Sequence, residues 1–271
     1  AVSPRPADLA EIGKDPALDL KSQPGLNIAY LAFNTQKKPF DDKKVRQAIS
    51  MGIDQAAIIK DVYLGAGQAA KNLMPPTIWG YNDKVEGYKY DPTKAAAMLK
   101  EAGVTGPLDV DLWWMPVQRP YNPNAKKIAE MMQADLAKLG LNAKLVSYEW
   151  GEYRKRLQNG EHMLGQLGWT GDNGDPDNFF FLLGCAAARP GGQNLAKWCN
   201  KDFDDRMLKA RSSFDVKERT KLYEEMQVIQ HEEAPVFTIA HSVVFEPTRK
   251  EVMDWKISPL GRHEFYGVDL K

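Results

Sequence analysis

Two charged side chains, Arg119 and Asp172, stand in segments whose composition suits contact with a ligand. Arg119 is the one charge in PVQRPYNP (Pro116–Pro123). Asp172 lies in GWTGDNGDPDNF (Gly168–Phe179), which is dense in Gly, Asp and Asn and must turn sharply. Two other aspartates in that stretch have structural work. Asp175 precedes Pro176 and reads as a helix N-cap with proline at the first helical position. Asp177 falls in the first turn, where the helix dipole favours an acid. Asp172 has no such duty. A guanidinium takes a carboxylate through parallel hydrogen bonds, and a carboxylate takes an ammonium. Across a gap, the two would therefore fit a zwitterion. They could equally pair with each other or lie in water, and spacing does not decide among these.

Other chemistry finds little support. The four histidines, His162, His231, His241 and His263, have no metal-ligand spacing. No GxSxG elbow, phosphate loop or GxGxxG occurs. A calcium loop starting at Asp172 needs Glu at its twelfth place, which is Leu183 here. A catalytic function and a cofactor are not expected. Trp113, Trp114 and Trp150 could line a pocket or fill the core. Neighbours on a strand point to opposite faces, so Trp113 and Trp114 should differ in surroundings. Cys185 and Cys199 flank a Pro-Gly-Gly turn (190–192), which suits a disulfide, with two free buried thiols as the alternative. A disulfide would imply an oxidising compartment such as a periplasm.

These segments are placed by strands and helices in alternation. The pattern predicts strands at Leu18–Ser22, Asn27–Asn34, Leu108–Met115, Asn142–Tyr148 and Met163–Trp169. Two more, Val236–Ala240 and Val243–Phe245, are expected near the end. Helices are expected at Pro6–Lys14, Asp42–Gly52, Asp54–Leu64, Asp91–Ala102, Asn122–Leu139 and Glu149–Gln158, and then near Asp177–Leu183, Asp202–Ser212 and Asp215–Glu233. Asp215 and Glu218 have capping-box spacing. The stretches Gly65–Tyr90 and Asp254–Lys271 read as irregular. Strands alternating with helices mean an α/β sheet with parallel pairs. PVQRPYNP and GWTGDNGDPDNF each follow a strand; if those strands are neighbours, both loops open on one sheet edge, where such folds bind ligands.

Composition bounds the rest. Lys+Arg and Asp+Glu both number 36 in 271 residues. That balance argues against a nucleic-acid partner, which needs a basic excess. No apolar run approaches the ~18 residues of a membrane helix. The chain opens AVSPRPADL without Met, and is expected to be cut from something longer, with no signal peptide in it.

Four segments carry a resemblance to a known family: YLAFNTQKKPFDDKKVRQAISMGID (Tyr30–Asp54), YDPTKAAAMLKEAG (Tyr90–Gly103), YNPNAKKIAEMMQADLAKLG (Tyr121–Gly140) and YEWGEYRKRLQNGEH (Tyr148–His162). With GWTGDNGDPDNF, the paired cysteines and IAHSVVFEPTRKEV (Ile239–Val252), the chain resembles the family 5 extracellular solute-binding proteins of peptide ABC transporters, over its whole length. Such proteins are about twice this long, with two lobes closing over a peptide, and this chain is similar to the C-terminal half. The resemblance implies a mixed, mainly parallel α/β sheet flanked by helices. Residues 1–24 would be hinge and part of the first lobe, 25–242 the second, ligand-binding lobe, and 243–271 a return to the first. It implies a periplasmic, non-enzymatic subunit that captures dipeptides by their free ends for an inner-membrane permease. Asp172 would hold the α-ammonium and Arg119 the α-carboxylate, with Trp169 and Tyr121 beside them. Other members take longer peptides, haem or nickel.

Overall fold

In the computed structural model, residues 4–271 are described, so the first three residues of the expected hinge segment 1–24 lie outside the described part. A short helix, Leu9–Ile12 (α1), leads into strand Leu18–Pro24 (β1) and then Asn27–Phe33 (β2). β2 reads NIAYLAF and is buried at every position, as its apolar run from Ile28 to Phe33 should be in a sheet covered on both faces. Helices Lys43–Gly52 (α2) and Gln55–Ile58 (α3) follow. Each is opened by an aspartate: Asp42 accepts from the Lys44 N–H and Asp54 from that of Ala57. The Gly- and Pro-rich stretch beyond is mostly irregular but holds a short strand, Gly67–Ala69 (β3).

The expected alternation then runs as Pro92–Glu101 (α4), Leu108–Trp113 (β4), Ala125–Lys138 (α5), Leu141–Val146 (β5), Trp150–Gln158 (α6) and Leu164–Thr170 (β6). Asp177–Phe180 (α7), Lys201–Ser212 (α8) and Val216–Glu233 (α9) precede the last long strand, Val236–Arg249 (β7). The tail adds two paired two-residue strands, Val252–Met253 (β8) and Asp269–Leu270 (β9). Among the described residues no helix is long and apolar enough to cross a membrane.

The main sheet has the order β1-β7-β2-β6-β4-β5, with β3 also on β7. It is mixed, as expected, but parallel pairing is confined to β4 with its neighbours β5 and β6. The other pairings, β1–β7, β2–β6, β2–β7 and β3–β7, are antiparallel, so the expected parallel majority is corrected. The reason is connectivity. A helical crossover returns β4, β5 and β6 in one direction. β2 and β7 are joined to that unit by long segments that impose no direction.

Two further expectations change. The strands placed at Val236–Ala240 and Val243–Phe245 are one, β7, whose first part pairs with β2 and β3 and whose second part pairs with β1. His241 and Ser242 looked like a break because they are polar. Both are buried, and Asn27 meets both: its carbonyl lies 2.7 Å from His241 Nδ1, and its Oδ1 accepts from Ser242 N–H at 2.9 Å. The helix placed at Asn122–Leu139 begins later. Asn124 is its cap, accepting from Lys127 N–H, because Asn122 is fully buried and exchanges backbone hydrogen bonds with Arg119 at 2.9 and 3.1 Å.

Cys185 and Cys199 form a disulfide. It joins the turn after α7 to the start of α8, where Asp204 also accepts from Cys185 N–H at 2.8 Å. Closing a loop of this length restricts the unfolded chain and stabilises by roughly 3 kcal/mol. Unreduced protein should weigh less than the reduced chain by the two thiol hydrogens, and Cys185→Ser with Cys199→Ser should melt at lower temperature. Ready thiol labelling at both positions in freshly purified protein would contradict this.

Candidate functional site

β4 and β6 are parallel neighbours, with Trp113 opposite Gly165. Their carboxyl ends therefore open on the same edge of the sheet, and the segments bearing Arg119 and Asp172 both leave from that edge. Tyr121 ties the first segment to the second strand. Its ring lies against Gly168 so closely that a Cβ there would come 2.2 Å from Tyr121 Cδ2 and 2.4 Å from the Ile28 carbonyl. Glycine at 168 is what allows that approach. Tyr63 Oη donates to the Tyr121 carbonyl at 2.7 Å. Burial pushes the Tyr121 phenol up to about 12, against the opposing pull of Arg119 and Arg154.

Arg119 is half-buried. Its guanidinium donates to the neighbouring Gln118 carbonyl at 3.0 Å and lies over the Trp150 ring, 5.0 Å from the centroid. Cation–π contact of this kind fixes a guanidinium without neutralising it. Among the described residues no carboxylate is paired with it. A cleft beside it is lined by Tyr63, Pro120 and, from near the two chain ends, Pro6, Val243 and Phe245. Trp150, at the start of α6, thus serves the site. Trp113 does not: it is buried against Tyr148, Tyr153 and His162, whereas its neighbour Trp114 is partly exposed.

In the acidic loop, Asn173, Asp175 and Asp177 are used internally. Asn173 Oδ1 accepts from Asp175 N–H at 2.9 Å. Asp175 accepts from Asp177 N–H at 3.0 Å, and both its oxygens lie 2.8 Å from Arg219 Nη2. Helix α7 starts one residue later than a cap at Asp175 implies, yet Asp175 still satisfies a first-turn N–H. Asp177 pairs with Arg211 at 2.6 Å. Asp172 is exposed, and no cation holds its carboxylate among the described residues. That group meets Asn178 Nδ2 at 3.3 Å, while Arg262 donates at 2.8 Å to the Asp172 backbone carbonyl instead. Trp169 is half-buried, stands edge-on to Phe181 at 5.2 Å and donates through Nε1 to Asn178 Oδ1 at 2.9 Å.

The segments bearing Arg119 and Asp172 therefore share a sheet edge, and among the described residues neither side chain is in an ion pair. The sequence did not single out Asn178, Arg211, Arg219 or Arg262. Asn178 carried a signal, an amide in the first turn after an acidic loop, from which it can reach back. The arginines come from distant elements and carried none.

The histidines are engaged elsewhere. Burial pushes His162 down to about 3 and His241 to about 4, so both are neutral. His231 stacks on Tyr88, and His263 lies 3.4 Å from Glu246. Among the described residues no group of three or more His, Cys, Asp or Glu side chains could hold a metal ion.

The chain has recognisable relatives in sequence and in fold. Residues 1–189 match the profile of the bacterial extracellular solute-binding proteins, family 5 Middle. The chain is 56% identical over 268 residues to the dipeptide-binding protein of Escherichia coli (strain K12), covering 99% of this chain and 50% of that protein. It is 48% identical over 268 residues to heme-binding protein A of Haemophilus influenzae, covering 98% of this chain and 49% of that one. The dipeptide binding protein of Pseudoalteromonas sp. SM9913, solved in complex with Met-Leu, superposes with a TM-score of 0.92 at 37% identity, covering 100% of this chain and 53% of that chain. The chain thus spans about half the length of the relatives it matches. With a profile match over residues 1–189 and 56% identity over nearly its whole length to one such protein, the chain belongs to the bacterial extracellular solute-binding proteins of family 5.

Proposed function

We propose that this chain is the second-lobe half of a periplasmic substrate-binding subunit. It captures dipeptides by their free ends and hands them to an inner-membrane ABC permease. Asp172 takes the α-ammonium, Arg119 the α-carboxylate, and Trp169 and Tyr121 wall the space beside them. One observation carries this reading: among the described residues, in a loop whose other carboxylates are paired, Asp172 has no cation on it, and it lies on the same sheet edge as an Arg119 with no carboxylate on it. A dipeptide zwitterion supplies both missing partners, and the named binding functions of the Escherichia coli and Pseudoalteromonas relatives support it.

The lobe boundaries are part of the same proposal. β1 pairs only with residues 243–249 of β7, and Gly25 N–H donates to the Ser242 carbonyl at 3.0 Å. Residues 25–242 then form the second lobe, with 1–24 and 243–271 crossing together to a first lobe supplied by the rest of the protein. Two end charges fix ligand length, while side chains are left in roomy, wet pockets. The protein is read as non-catalytic, since the relatives it matches are named as binding proteins. Haem is named for one relative, but the four histidines here are committed to the core, to stacking or to Glu246, and no observation favours haem or nickel.

Calorimetric titration of the two-lobe protein that carries this chain should show dipeptides binding more tightly than tri- and tetrapeptides. Equal affinity for all lengths would contradict recognition by two fixed ends.

A further inference from the structure

We infer that Asn178 is the positioning residue of the amino-end site, locking the Asp172 carboxylate and the Trp169 ring into one arrangement; this rests on the role of Asp172 proposed above. Asn178 Oδ1 accepts two hydrogen bonds, from Trp169 Nε1 and from Asp172 N–H, each at 2.9 Å. Both donors are obligate, because an indole and a backbone amide can only donate. They therefore fix which way the side-chain amide faces: the swapped orientation would set an NH₂ against two N–H groups. With the oxygen so assigned, Nδ2 must face the other way, and there it donates to Asp172 Oδ2 at 3.3 Å. One planar amide thus holds the loop backbone, the aromatic wall and one carboxylate oxygen, leaving Oδ1 of Asp172 for a ligand.

The amide is itself anchored. Asn178 sits on α7, whose next two residues, Phe179 and Phe180, are fully buried. The same turn is gripped by Arg211 on Asp177 and by Arg219 on Asp175. Arg219 is in turn stacked on Trp79 and Tyr223, at 5.0 and 5.5 Å. An exposed carboxylate without such a brace would sample several rotamers, and binding an ammonium would have to immobilise it. The other charges around Asp172 do not replace the brace. Arg262, from the tail, is on the backbone carbonyl, and Asp175 and Asp177 are neutralised by their arginines.

The test compares a free dipeptide with its N-acetylated form in the two-lobe protein, for wild type, Asn178→Leu and Asn178→Asp. Leucine has similar volume and removes all three hydrogen bonds. It should weaken the free dipeptide about 10-fold or more, the loss expected for a hydrogen bond to a charged group, and cost the acetylated peptide clearly less, since that peptide loses only the fixed Trp169 ring. Aspartate keeps both acceptor contacts but sets a second carboxylate against Asp172. Neighbouring carboxylates take up a proton between them, and an ammonium displaces it. Affinity of this variant for the free dipeptide should therefore tighten from about pH 5 to pH 8 more steeply than wild type, with no such slope for the acetylated peptide. Equal losses for both peptides in Asn178→Leu would mean a packing role only and overturn the inference, as would no loss at all. If Asn178→Leu does not fold, the pH slope of Asn178→Asp decides, and a wild-type slope overturns it. Wild type that binds free and acetylated peptides alike would overturn the role of Asp172 and this inference together; wild type that discriminates beside an unaffected Asn178→Leu overturns only the role of Asn178.

Discussion

Asp172→Ala, placed in the two-lobe protein that carries this chain, is expected to weaken ordinary dipeptides by about 2–5 kcal/mol, roughly 30- to several-thousand-fold. The effect is large because a closed cleft would bury the ammonium, and removing its counter-charge leaves that ammonium unpaired in a poor solvent. Fold stability should hardly change, since the Asp172 carboxylate is exposed and, among the described residues, meets only the Asn178 amide. Binding and thermal melting measured on the same variant separate the two effects. Its near neighbours supply an internal comparison. Asp175→Ala and Asp177→Ala each strand an arginine, Arg219 or Arg211, and should lower the melting temperature before they weaken binding. Unchanged dipeptide affinity in Asp172→Ala would remove that residue from the site.

Arg119→Ala is expected to cost a comparable amount, with the loss confined to ligands that keep a free carboxylate. The Trp150 ring and the Gln118 carbonyl hold the guanidinium in place without neutralising it, so its charge stays available. Arg119→Lys should recover little, because an ammonium neither stacks on an indole in the same way nor offers two parallel donors. Affinities of a free and a C-terminally amidated dipeptide for wild type, Arg119→Ala and Arg119→Lys decide this. If Arg119→Lys binds the free dipeptide as wild type does, the planar fork is not what recognises the ligand.

Much of this architecture was legible in the chain because it is written in local patterns. Asp42, Asp54, Asp91 and Asp215 stand at the heads of expected helices and cap them, since an N-cap depends only on the next few residues. The capping box at Asp215 is only half made: Asp215 accepts from Lys217 and Glu218 N–H, but the Glu218 carboxylate turns to Ser213 and Lys209. Strands β4, β5 and β6 were readable because helices punctuate them. Non-local features were not readable. That β7 continues through His241 and Ser242 depends on Asn27, far away in sequence. That Asn122 caps nothing depends on its burial beside Gln166, where the two amides meet at 3.3 Å. Asp172 could be singled out because its neighbours had visible duties. Asn178 and the three arginines could not be ranked without knowing which elements the fold brings to the loop.

The most direct measurement is a calorimetric titration of the unaltered two-lobe protein with a single dipeptide in three forms: free, N-acetylated and C-terminally amidated. Each block removes one ligand charge and leaves the protein intact, so no question of misfolding enters. The expected result is strong binding of the free form and a loss of about 2–5 kcal/mol for either blocked form. Free and blocked peptides binding equally well would contradict recognition of the peptide ends by Asp172 and Arg119.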